Sequence, residues 1–199
     1  MIKEVREQLN QLASVFNTIS KFLEGKIVGN NERQTLLVSY FDISMEHAQS
    51  IHLLMQNEFY GSAVTLLRPF YETYFRGLWM LKFANDKEIK GIYNNTFHFS
   101  SMGNKIKALD SIYTGTDFFE KLKTNIWNTL CDYNHSGILQ LSRRWKKDEL
   151  VPNYKDTEII EAIEGTKIIL LLFAYVVFTE HHFEAEAKRI NELILNINT

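Results

Sequence analysis

The stretch Tyr60-Gly-Ser-Ala-Val-Thr-Leu-Leu-Arg68-Pro69-Phe-Tyr-Glu72-Thr-Tyr-Phe-Arg76-Gly-Leu-Trp79-Met-Leu-Lys-Phe-Ala84 decides the fold class. Its apolar residues do not alternate with period two, and the run is far longer than an ordinary strand. Wound as a helix it is apolar on nearly every face, which places it inside a bundle. Pro69 removes the amide that would bond to Thr65 and crowds that carbonyl, so a kink is expected there.

The segments on either side read the same way. Ile2, Val5, Leu9, Leu12, Phe16, Ile19 and Leu23 recur at three- and four-residue steps, one helix stripe over 2–24. Gly25 and Gly29 break it, and Asn30 or Asn31 can cap a second helix running to about Asn57. That helix should turn Leu36, Leu37, Tyr40, Ile43, Ala48, Ile51 and Leu54 inward. Residues 86–113 read as two shorter helices broken near Gly103 and ended by Gly115. Thr116 or Asp117 can start the next, continuing to about Tyr133. Gly137 suits a left-handed closing residue. A short basic piece over 138–147 and a loop at Pro152 precede helices at about 156–182 and 184–197. The expected architecture is an all-α, single-domain antiparallel bundle of six to eight helices spanning 1–199.

Composition narrows the function classes. The 199 residues include only two prolines and nine thinly spread glycines, which disfavours a many-stranded sheet. A net charge of -2 gives no bulk attraction to nucleic acid or an anionic membrane, although a local basic patch stays open. The single cysteine, Cys131, cannot form an intrachain disulfide and fits a reducing cytoplasm. The charged N-terminus lacks the apolar stretch of a signal peptide. The longest apolar run, Ile168 to Phe178, falls short of the roughly 20 residues that span a bilayer and reads as a buried helix, with no membrane partner expected.

Two constellations stand out. Arg68, Glu72 and Arg76 at four-residue steps form one line along the apolar third helix. Buried charges must pair, and Glu72 between two arginines is the obvious pairing. The line serves either as an internal salt-bridge network or, since one carboxylate cannot neutralise two guanidinium groups, as a site for a phosphate or carboxylate.

The second is Trp127-Asn-Thr-Leu-Cys-Asp132-Tyr-Asn-His135-Ser-Gly137-Ile-Leu-Gln140-Leu-Ser-Arg143-Arg144-Trp145. Asn128, Asp132 and His135 fall on one helix face. His135 lies near the helix C-terminus, where the dipole and Asp132 would favour its protonated form, and imidazole suits proton transfer near neutral pH. Gln140, Arg143 and Arg144, with Trp145 beside them, could follow a nucleic-acid backbone while the indole stacks on a base. His135 reads equally well as a cap on helix carbonyls, and Lys146 and Lys147 read as solvated surface.

No pattern for a metal or a cofactor appears. His47 and His52 do not share a face as a metal pair would, His181 and His182 diverge, and no glycine-rich phosphate loop or nucleophile elbow is present.

The pattern Leu67-Arg68-Pro69-x-x-Glu72-x-x-x-Arg76-x-x-Trp79, followed by Asn128, Asp132-Tyr133-x-His135-x-Gly137-x-x-Gln140 and Arg143-Arg144, resembles a family of uncharacterised bacterial helical proteins, with Glu46-His47 also fitting. More distantly it is similar to the HEPN superfamily. Those are helical bundles, commonly dimeric, many of them metal-independent ribonucleases in toxin–antitoxin and phage-defence systems. Their signature pairs an arginine with a histidine. Here six residues separate Asn128 from His135 and Asn128 stands at the arginine position. The resemblance therefore implies a homodimeric ribonuclease with His135 as proton shuttle, and an antitoxin or defence-system partner. Arg68, Arg76, Arg143 or Arg144 could supply the phosphate charge from elsewhere, a departure from that superfamily's pattern. Two other readings stay open, a non-enzymatic interaction or sensor module and a binder of an anionic small molecule such as a nucleotide.

Overall fold

The computed structural model describes residues 2–26, 28–112 and 117–197. Among them the chain forms α1 (Lys3–Leu23), α2 (Glu32–Gln56), α3 (Tyr60–Phe83), α4 (Asp86–Tyr93), α5 (Met102–Ile112), α6 (Phe118–Asn134), α7 (Ile138–Ser142), α8 (Asp156–Glu180) and α9 (Glu184–Ile197). A two-stranded antiparallel hairpin, β1 (Trp145–Lys146) and β2 (Glu149–Leu150), sets Trp145 opposite Leu150. The class is all-α, as the sequence predicts.

Two helices organise the core. α3 packs along α2, to which residues 57–59 join it, and also carries α5 and α6. α8 touches α1, α2, α3 and α9. Phe173 of α8 is fully buried, with the edges of Phe41 and Tyr74 against it at centroid distances of 5.4 and 5.3 Å. Gly77 lets this happen, because a Cβ there would lie 2.6 Å from the Phe173 ring. α8 is long and apolar enough to cross a membrane by length and composition, and 56% of its most apolar window is buried in the bundle.

The helix ends follow local hydrogen bonding. Asn31 caps α2 by accepting from the Gln34 amide at 2.9 Å. α3 stops where the Arg33 guanidinium donates to the carbonyls of Met80, Leu81 and Ala84 at 2.9, 3.3 and 2.6 Å. Asn85 and Glu88 then close a reciprocal capping box that starts α4.

Several local expectations change. Ile43 is 43% exposed, because α2 buries the stripe Leu37, Phe41, Met45, Ala48, Ile51 and Met55, and Ile43 falls off it. The break between α4 and α5 lies at 94–101, and Gly103 sits inside α5. Asp117 precedes α6 but makes no side-chain cap; the Asp110 carboxylate accepts from the Phe119 and Glu120 amides instead, at 3.0 and 2.9 Å. Gly115 and Thr116 lie outside the described residues. α3 is helical without interruption through Pro69, whose carbonyl accepts from the Thr73 hydroxyl at 2.7 Å. Gly137 is not left-handed, with φ of -74°; Ser136 takes that conformation, at φ of 52°.

Candidate functional site

The regular turn of α3 stacks Arg68, Glu72 and Arg76 above one another. Arg68 Nε donates to Glu72 Oε1 at 3.1 Å, and Arg76 Nη2 to Glu72 Oε2 at 3.4 Å. The carboxylate thus bridges both arginines.

The end of α6 brings His135 to this line. Arg68 Nη1 lies 3.3 Å from His135 Nε2. A guanidinium has only donors, so Nε2 is the acceptor in this hydrogen bond. His135 is exposed, and the Arg68 guanidinium also lies over the Trp127 ring, 5.6 Å from its centroid. Two positions that are 67 residues apart in the chain therefore share one solvent-facing site.

Charge is unbalanced one turn further along. Arg76 and Lys105 both lie over the Phe99 ring, at 5.3 and 5.2 Å. Lys105 is 2% exposed and donates to the Ser100 carbonyl. Burial pushes its amine below the usual range, Arg76 pushes the same way, and Glu72 opposes them. Arg68, Arg76 and Lys105 thus share one carboxylate, and Arg76 Nε is buried with no hydrogen-bond partner.

Asp132 does not turn toward the imidazole. Its Oδ2 accepts from the backbone amides of Leu139 and Gln140 at 2.8 and 3.3 Å, capping the start of α7. Gly137 permits this, because a Cβ there would coincide with the Asp132 carboxylate. The expected support of Asp132 for a protonated His135 is replaced by a structural anchor that fixes the turn carrying His135. Asn128 is exposed on α6, one position from the Trp127 ring beneath Arg68.

The basic segment is more engaged than its composition suggests. Arg143 is ion-paired with Glu158. Gln140 Nε2 reaches Thr65 Oγ1 at 3.5 Å. Arg144 lies against Gly61, where a Cβ would be 3.1 Å from its Nη2. Trp145 is 52% exposed on the hairpin. Of the four arginines considered, Arg68 is the one beside His135. Among the described residues no group of three or more His, Cys, Asp or Glu is arranged to hold a metal ion.

Residues 41–196 match the model of a family of unknown function, DUF6988. The chain belongs to this family. DUF6988 thus covers α3 and α6 to α8, the elements that build the Arg68–His135 site. No curated protein and no solved structure matches the chain.

Lys105, Phe99 and Trp127 are absent from the residues singled out in the sequence. Lysine is exposed by default, and nothing in 94–105 shows that this loop folds back onto α3.

Proposed function

We propose that this chain is an HEPN-like, metal-independent ribonuclease, a toxin or phage-defence effector that works as a cytoplasmic homodimer. The observation that carries the reading is Arg68 Nη1 at 3.3 Å from an exposed His135 Nε2. As Arg68 swings from Nε2 to the phosphate, it frees the Nε2 lone pair, which would take the proton from an RNA 2′-hydroxyl as that oxygen attacks phosphorus. The 5′-oxygen leaves and takes a proton from water, to which the imidazolium of His135 gives up its own, giving a cyclic phosphate and a free 5′-hydroxyl. Arg68, supplying the charge that Asn128 cannot, stabilises the phosphorane oxygens. General acid–base help of this kind contributes about 10²–10⁴-fold. Trp145 is the base-stacking contact, with Gln140, Arg143 and Arg144 along the backbone path.

The test is incubation of purified protein with total RNA in excess EDTA, beside His135→Ala and Arg68→Ala. Cleavage that either substitution abolishes supports the proposal. Intact RNA with the wild-type protein contradicts it.

A second reading has its own support. Glu72 bridges both arginines and each arginine covers an aromatic ring, the geometry of a structural network in an interaction or sensor module. In that case His135→Ala leaves every RNA-directed property unchanged, while Glu72→Ala lowers thermal stability.

A further inference from the structure

A cleft of about 360 Å³ opens between α3, α6, α7 and α8, and neither Arg68 nor His135 lines it. Its walls are mostly apolar, from Val64 and Leu67 of α3, Ile126 and Leu130 of α6, and Ile159 and Ala162 of α8. That size and lining suit a small-molecule pocket, which needs few but convergent polar groups.

Those groups are present and unsatisfied. Tyr71 lines the cleft at 5% exposure, and the hydroxyl of Tyr154, also in the lining, is buried without a hydrogen-bond partner. Burial pushes the Tyr71 hydroxyl up to about 12 and raises that of Tyr154 as well, so both remain donors at any physiological pH. Arg143, also in the lining, spends Nη2 on Glu158, while its Nε is buried without a partner. Buried donors of this kind are normally satisfied. An occupant carrying an acceptor satisfies them.

Charge selects among such occupants. Glu158 and Glu161 face Arg143 as the charged lining residues, so the cleft has a net negative charge. A carboxylate or phosphate is disfavoured there. We infer that the cleft is a binding site for a neutral, largely apolar small molecule bearing a carbonyl-type acceptor, a site distinct from the Arg68–His135 pair.

Nile red is a suitable probe, being neutral, apolar and a carbonyl acceptor, with anilinonaphthalene sulfonate as its anionic counterpart. Titrated with the full chain, Nile red is expected to bind saturably, one per chain, at micromolar concentration. The sulfonate should bind at least about tenfold more weakly. Ala162→Trp, which fills the cleft, should abolish Nile red binding, and Tyr71→Phe should weaken it several-fold with the circular dichroism spectrum and melting temperature of both variants retained. If Ala162→Trp unfolds the chain, Tyr71→Phe alone decides. Absence of saturable binding, equal binding of the sulfonate, or full affinity in both variants overturns the assignment.

Discussion

At the scale of single residues, Gly137 shows how a side chain's absence does structural work. The Asp132 carboxylate occupies the place of the missing Cβ and holds two amides of α7. Gly137→Ala must push that carboxylate off its donors, and we expect a loss of about 1 kcal/mol in urea unfolding, the size of a lost N-cap. Asp132→Ala should lose about 1 kcal/mol, the size of an N-cap. Similar losses confirm one shared function; an unaffected Gly137→Ala chain contradicts it.

Lys105 sets a sign for pH dependence. Its folded pKa is lowered by burial, so between that value and the ordinary 10.5 the unfolded chain binds more protons than the folded one. The penalty is fully present at neutral pH, and stability from this group rises as pH rises through that window. Lys167, lowered for the same reason, acts in the same direction. Lys105→Met should therefore raise the melting temperature near pH 7, by roughly 2–4 °C per kcal/mol relieved, and flatten the alkaline rise. A lowered melting temperature would show that the ammonium is held favourably.

At the scale of elements, α3 carries both the packing and the charge. Glu72 is about a quarter exposed, with side-chain exposure of 24%, so solvent screens part of its pairing. Glu72→Gln should cost about 1–3 kcal/mol, below the ~3–5 kcal/mol of a fully buried pair, and added salt should recover part of it. Thermal unfolding across a salt series measures this. Insensitivity to both the substitution and salt would remove the electrostatic account of the line.

The elements also show what the sequence made legible. The long helices were readable because α1 repeats its apolar residues with helical period and α3 and α8 are too apolar to lie anywhere but inside. The four-residue spacing of Arg68, Glu72 and Arg76 forced their mutual pairing. Contacts across the bundle were not readable. Nothing local says that His135 meets Arg68 and not Asp132, that Asp110 caps α6 from the preceding helix, or that the 94–101 loop lays Phe99 beneath Arg76 and Lys105. Each depends on tertiary placement, to which periodicity is blind. Gly137 misled for a related reason: its constraint is a close approach by a side chain five residues earlier, not its own backbone angle.

At the scale of the whole molecule, one core ties the elements of the site together. Phe173, fully buried between α2 and α3, should be costly to truncate: Phe173→Ala is expected to lose ~3–5 kcal/mol in urea unfolding. The central functional claim concerns one geometric fact of that assembly, an arginine from the core helix set against an exposed histidine from the end of α6. Single-turnover incubation of a defined RNA oligonucleotide in EDTA, beside its all-2′-deoxy counterpart, tests it most directly. The account predicts that RNA is cut to fragments ending in cyclic phosphate, the deoxy strand is untouched, and His135→Asn slows cleavage by at least about 10²-fold. Cleavage of both strands alike, full activity in His135→Asn, or no cleavage of RNA at all would contradict it.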